Sequence, residues 1–371
     1  MQKQPDTQPL SVLQVVRPAA GGIRQHVLSL IGASDPARAI HSIAAPAAFL
    51  HDLPADTPAH NLPLEIAARF APLADLCAAR RLAILARTVD IVHAHGLRAG
   101  WVAALAQSVR PFPFVLTAHN MAEGGLPARL AVTHIGRRAQ VVIAVSQAVA
   151  GSLVTLGMPP AKLRIVPNGV DVEAFAQLPL RADARQALGL TEDTFTVGCI
   201  ARLSPEKGVD VLAQAAAALP DVPVLVAGDG PQRAVLQASL PANVRLLGRI
   251  PDTRALLAAV SVLVVPSRLE GQGIVALEAM AAGVPLIASR VGGLAEMLTD
   301  GETALLVPAG DPAALARAIT RLRADPALQA HLSANAARLV RERYDHRRTI
   351  AAVLDVYTEV AAARRISPSP T

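Results

Sequence analysis

The chain has 371 residues, more than one ordinary core accommodates and a length that suits two domains. Apolar residues make up 52% of it and aromatics only 2%, too few for a stacking platform on single-stranded nucleic acid, so no nucleic-acid partner is expected. The net charge of +6 is uneven: residues 1–170 carry 15 Lys and Arg against 8 Asp and Glu, and the remainder 20 against 21, so an anionic substrate or membrane surface, or else an arginine-rich surface with no partner, concerns the first half.

The opening Met1–Pro9 is polar and lacks the basic-then-apolar order of a secretory signal. No apolar run reaches spanning length, so a soluble, cytoplasmic protein is expected. Val12–Val16 reads as a strand, followed by a glycine turn at Gly21-Gly22 and an amphipathic helix from about Ile23. Strands follow at Ile91–Ala94, Phe114–Thr117 and Val141–Val145, each with a helical stretch behind it. Pro167-Asn168-Gly169 is a turn, and a polar stretch, Arg181 to Asp193, comes after it. The alternation then restarts with Phe195–Ile200, Val222–Ala227, Val244–Leu247, Val262–Val265, Leu286–Ala288 and Ala304–Val307. Two helices close the chain, Pro326 to Arg343 and His346 to Arg365, before a Ser/Pro-rich tail from Ile366 that is expected to fray.

Repeated strand–helix alternation implies an α/β fold with parallel sheets covered on both faces. Two such runs predict two doubly wound, Rossmann-like domains facing a cleft, residues 1–168 and 169–345. Cys77 and Cys199 form neither a metal-ligand spacing nor a disulfide framework and are expected as buried small residues in a reducing compartment.

Ligands of open α/β sheets bind beyond the carboxyl ends of the strands, so the loops there carry the chemistry. Gly21-Gly22 before a helix suits a phosphate, or a plain tight turn. In Cys199-Ile-Ala-Arg202-Leu-Ser-Pro-Glu-Lys207-Gly208, Arg202 sits in a loop and Lys207 opens the next helix; two such cations can clamp a diphosphate or stand as solvated charges. Gly228-Asp229-Gly230-Pro231 combines close-approach glycines with a proline in the first helical turn, and a purely structural turn fits equally. The most informative segment runs from Pro266 to Pro285. There Gly271-Gln272-Gly273 exposes backbone N–H groups at a helix start, with Glu270 in the loop and Glu278 about a turn into the helix. Carboxylates beside an anion site make sense when the ligand also carries hydroxyls, as a sugar nucleotide does. No Asp-x-Asp pair occurs, so no metal is expected on the diphosphate. His93, His95 and His119 recur at strand ends; His119 is positioned to give a hydrogen bond to a sugar hydroxyl as an uncharged donor, and no Cys, His or carboxylate grouping has zinc spacing.

These stretches, with Val166-Pro-Asn-Gly-Val-Asp171, Leu247-Gly-Arg249 and the Glu270/Glu278 pair eight residues apart, resemble the retaining glycosyltransferases of family 4, or group 1, with the GT-B fold. The resemblance covers nearly the whole chain and is strongest from Val166 to Asp311. It implies that Arg202 and Lys207 hold the donor diphosphate and stabilise it as leaving group, that Glu270 contacts the transferred sugar, and that Glu278 binds the ribose hydroxyls. It further implies that backbone N–H groups at Gly273, Ile274 and Val275 bind sugar and phosphate, that Arg249 and Ile250 lie near the base, and that His119 contacts the sugar. Gly21-Gly22 would close over the diphosphate, and the last helix would cross back onto the first domain. One departure stands out: Gln272 occupies a position that is usually phenylalanine.

The expected reaction is metal-independent transfer of a hexose-type sugar from a nucleoside diphosphate, with retention, in glycan, glycolipid or polysaccharide biosynthesis. The nucleotide sugar is a substrate, and no cofactor is expected. A non-catalytic sugar-nucleotide-binding subunit is the rival reading, told apart by turnover. A phosphorylase would need a lysine for pyridoxal phosphate, and only Lys3, Lys162 and Lys207 exist. Arg80, Arg81 and Arg87 on one helical stretch, with Arg129, Arg137 and Arg138 on another, suggest a lipid-linked or anionic acceptor and peripheral attachment to the inner face of the cytoplasmic membrane.

Overall fold

The computed structural model describes residues 8–17 and 21–366. Its strands are β1 (Leu10–Val16), β2 (Ala39–Ala45), β3 (Ala59–Pro63), β4 (Ile91–His95), β5 (Phe114–Ala118), β6 (Val141–Ala144), β7 (Leu163–Ile165), β8 (Val197–Ile200), β9 (Val224–Ala227), β10 (Val244–Gly248), β11 (Val262–Val265), β12 (Leu286–Ser289) and β13 (Leu305–Val307). The chain divides into two compact units. One runs to Pro167 and resumes at Arg347; the other is Asn168–His346.

The first unit is a seven-stranded sheet of order β3-β2-β1-β4-β5-β6-β7, with every pairing parallel. Leu13, Val15, Val92, Ala94, Leu116 and Ala118 point to one face and form a core with the helices Pro72–Leu85, Leu97–Val109 and Leu126–Arg138. Alternate residues, Val12, Ile91, Val115 and Ile143, pack under Val353, Tyr357 and Val360 of the helix His346–Ile366. β2, β3 and β7 escape a reading of the sequence. β2 breaks its apolar run with His41 and Ser42, while β3 and β7 are short, mostly exposed edges.

The second unit has six strands in the order β10-β9-β8-β11-β12-β13, again all parallel. One face packs under the helices Ile274–Ala281 and Pro326–Arg343, and the other under Val209–Ala217 and Pro312–Ala324. Aspartates start the two long helices: Asp311 accepts from Ala314 N and Asp325 from Leu328 N, each with proline in the first turn. The polar stretch after Arg181 is a helix, Arg181–Ala187, and Arg185 is 1% exposed. Its guanidinium is satisfied by the carbonyls of Thr191, Thr194 and Ala259. Cys199 is buried but Cys77 is exposed, on the outer side of its helix, which corrects half of the cysteine expectation. Among the described residues, no helix is long and apolar enough to cross a membrane.

Candidate active site

Each sheet reverses its strand order at one point, between β8 and β11 in the second unit and between β1 and β4 in the first. Loops diverge there and leave room for a ligand beyond the strand ends.

At the β8/β11 reversal, glycines let loops from different strands interlock. A Cβ on Gly208 would lie 2.0 Å from the Pro266 carbonyl oxygen, and one on Gly228 1.9 Å from that of Ala201. Arg268 N donates to Glu206 O at 2.8 Å, and the Arg268 guanidinium grips Asp210 with two bonds of 2.7 Å. This fixed loop pair delivers Lys207 to Glu270: Nζ is 2.8 Å and 3.0 Å from the two carboxylate oxygens. Ser267 Oγ donates to the same carboxylate at 3.0 Å. Lys207 closes a short 3₁₀ turn, Pro205–Lys207, rather than opening the helix, because left-handed Gly208 intervenes before the helix starts at Val209. Arg202, in the same loop, is largely exposed and pairs with Glu206 at 2.5 Å.

Gly273 has φ +86° and caps the helix Ile274–Ala281, whose first-turn N–H groups face outward along the axis at Ile274 and Val275. Glu278 lies on this helix at 2% exposure, buried as its apolar neighbours imply. Gly293 seals the loop from behind: its N donates to Glu270 O, and a Cβ would meet Gly271 O at 2.1 Å. Gln272 is 3% exposed and makes two bonds to one backbone residue. Its Oε1 accepts from Asn168 N at 2.6 Å and its Nε2 donates to Asn168 O at 3.1 Å. The amide thus replaces apolar packing with a clamp on the first residue of the unit. Arg249, exposed, and half-buried Ile250 follow edge strand β10, two strands from β8. Pro231 sits in a separate turn ahead of the helix Arg233–Gln237, not in its first turn.

In the first unit, Gly21 (φ +70°) caps the helix Gly22–Gly32 behind β1; nothing lies within 4 Å of a would-be Cβ, so the backbone angle alone calls for glycine. The loop residues 18–20 lie outside the described residues. His119 follows β5 and is 7% exposed. Its Nε2 is 3.3 Å from His95 Nδ1, whose ring in turn bonds Gln14 Oε1 through Nε2 at 2.7 Å. Gln14, His41, His93, Thr117 and Tyr357 continue the network. Burial, reinforced by neighbouring histidines, holds His93, His95 and His119 well below the usual imidazole range, and burial alone takes His41 down to about 4. These rings are neutral at physiological pH. Donor nitrogens of His26, His95 and His119 lie within 4.8 Å of one another, a grouping that could hold a metal ion. Sequence spacing gave no hint of it, because the three side chains come from different strand–loop units.

Residues 20–174 match the model of Glycosyltransferase Family 4, and residues 181–339 match that of Glycosyl transferases group 1. The D-inositol 3-phosphate glycosyltransferases of Streptomyces bingchenggensis and Acidothermus cellulolyticus are each 36% identical over 310 residues, covering 74% of this chain and 68% of theirs. Among solved structures, Anabaena HepE in complex with UDP-glucose superposes with a TM-score of 0.82 at 25% identity, over 95% of this chain and 100% of that one. Sucrose-phosphate synthase from Thermosynechococcus elongatus does so with a TM-score of 0.80 at 25% identity, over 96% and 100%. Two family models end to end, relatives of this similarity and two parallel sheets with matching neighbours agree: the chain is a glycosyltransferase, of the group 1 family and the GT-B fold.

Proposed function

We propose that this enzyme moves a hexose-type sugar from a nucleoside diphosphate to an acceptor with retention of configuration and without a metal ion. The observation that carries the reading is the Lys207–Glu270 pair at the β8/β11 reversal, beside the amide-rich start of the helix Ile274–Ala281. Lys207, Arg202 and the amides at Gly273, Ile274 and Val275 offset the charge that the diphosphate gains as it departs. Glu270 takes hydroxyls of the transferred sugar, Glu278 those of the ribose, and Arg249 and Ile250 flank the base. His119 meets a sugar hydroxyl, and the Gly21-Gly22 turn approaches the diphosphate. No protein nucleophile is assigned: the acceptor oxygen attacks the face the diphosphate leaves, and a phosphate oxygen takes its proton. The UDP-glucose held by HepE supports a UDP-sugar as donor.

The acceptor is anionic in this reading. The basic balance of residues 1–170 suits one, and the curated relatives are named for a phosphorylated polyol. The helix Pro72–Leu85 presents exposed Leu73, Leu76 and Ile84 beside exposed Arg80 and Arg81, a face suited to peripheral contact with anionic lipid on the cytoplasmic side. Salt-sensitive co-sedimentation with anionic vesicles is the expected result, and no binding at low salt would remove the membrane from the proposal.

The test of the reaction is donor turnover together with a thermal-shift panel of nucleoside diphosphates and their sugar conjugates. Lys207→Ala should lower kcat/KM by about 10²–10³, as loss of one preorganised donor to a developing anion does. Full activity in that variant, or loss of activity on metal chelation, would refute the assignment.

A further inference from the structure

The protons around Gln14 can be followed one bond at a time. Gln14 Oε1 can only accept, so the proton of His95 sits on Nε2, 2.7 Å away. In a neutral ring that leaves His95 Nδ1 bare. His119 Nε2, at 3.3 Å, must then donate to it, and His119 Nδ1 is left as a lone pair. On the other side, Gln14 Nε2 gives its two protons to His41 Nδ1 at 3.0 Å and Tyr357 OH at 3.1 Å. Tyr357 passes its proton toward His93 Nδ1 at 2.6 Å, and His93 Nε2 donates to Thr117 Oγ1 at 2.7 Å. Each bond pairs one donor with one acceptor and no ring needs a charge, while His41 Nε2, which then carries that ring's proton, is left without a partner among the described residues. The orientation of one amide therefore governs four imidazoles: with Gln14 Oε1 toward His95 the protons run as above, and exchanging its oxygen and nitrogen would reverse each of them.

We propose that Gln14 and His95 are positioning residues: they hold His119 in the tautomer with a bare Nδ1, which accepts a hydrogen bond from a hydroxyl of the donor sugar. This inference rests on the reading that His119 meets that sugar. It reverses the role expected from the sequence, since the N–H of His119 is spent on His95 and the atom left over is an acceptor. His119 Nδ1 is buried without a partner among the described residues, the condition in which a lone pair rewards a ligand hydroxyl most. It follows that a donor sugar presenting a carboxylate in place of that hydroxyl sets acceptor against acceptor and is a poor substrate. Coordination of a metal by His26, His95 and His119 would occupy either the His119 nitrogen bonded to His95 or the one offered to the sugar, and is incompatible with this arrangement.

The experiment is a ring-nitrogen NMR spectrum of the full-length protein at pH 7.5, with His119 assigned by comparison with His119→Gln. A proton on Nε2 and a bare Nδ1 are expected. His95→Leu should release His119 from that single tautomer and lower kcat about tenfold or more, with the donor KM changed less than kcat. His95→Asn, whose side-chain oxygen can stand where Nδ1 stands, should restore both; Gln14→Leu should behave as His95→Leu. A proton on His119 Nδ1, or one tightly bound metal ion per chain, overturns the proposal whatever the activity. The expected spectrum combined with unimpaired turnover by His119→Gln overturns the positioning role and identifies the functional reading, not the proton order, as the failure.

Discussion

At the reversal point of the first unit, the polar side chains are uncharged rings and amides, buried and joined by hydrogen bonds that run from β1 to the last helix. At that of the second, they are ions: Lys207 with Glu270, Arg202 with Glu206, Arg268 with Asp210, held by interlocked glycine loops. A neutral network fixes the place of each proton, and an ionic one fixes the place of each charge. The first is suited to recognising hydroxyls and the second to holding a group whose charge grows during reaction. The two should therefore fail under different insults.

Acid should separate them most. The unfolded histidine value is near 6.5 and the folded values of His41, His93, His95 and His119 are depressed. Between pH 6.5 and the folded values the unfolded chain binds protons that the native chain refuses, so stability is full above 6.5 and falls as the pH falls. Four such rings remove on the order of 5 kcal/mol by pH 5.5. Asp210 and Asp252 behave otherwise: hydrogen bonds from Arg268 and Arg254 hold them below the usual carboxylate range, so their contribution persists until the pH drops through those lower values. Hydrogen exchange at pH 7.5 and 5.5, corrected for intrinsic rates, should show protection lost in β1, β4 and β5 and kept in β8 and β11. Equal loss in both units would break the contrast.

Charge substitutions should act the other way. Lys207→Ala is expected to cost about 2–4 kcal/mol in transition-state stabilisation, read from kcat/KM, without altering the pH at which the first unit opens. Glu278→Gln keeps the shape and removes the charge-assisted acceptor, so the donor KM should rise by about 1–2 kcal/mol equivalent with kcat nearly unchanged. An unchanged KM would place the ribose elsewhere. Gln272→Phe restores the residue usual at that position but leaves the Asn168 N–H and carbonyl without their partner. Urea unfolding should register a loss of about 1–2 kcal/mol; a gain would mean that packing, not the clamp, is what the position needs. Cys77→Ser, on an exposed side chain, should stay within about 0.5 kcal/mol.

The same contrast explains what the sequence disclosed. The second unit's site is written in short contiguous stretches, Arg202 to Gly208 and Glu270 to Glu278, so their order along the chain already shows which residues share a loop. Strands β8 and β11 were visible as apolar runs, and Glu278 was marked for burial by its neighbours. The first unit's network is assembled from positions as far apart as Gln14 and Tyr357, and each member alone looks like an ordinary polar residue in a strand or helix. His93 and His95 stood out only as histidines at a strand end. The pairing of Gln272 with Asn168 left no trace, because nothing local distinguishes an amide that reaches a distant backbone.

The helix His346–Ile366 has a consequence for the order of manufacture. A ribosome that has completed β1 to β7 has built a sheet with one side only partly covered, by the helix Gly22–Gly32 over Val16 and Ile43, since Val353, Tyr357 and Val360 are still unmade. Asn168–His346 is synthesised in the interval, which at ordinary elongation rates lasts about 10–40 s. For that time Val12, Ile91, Val115 and Ile143 lack the cover they have in the finished protein, and a chaperone has a surface to hold. The half that emerges first is the half sealed last.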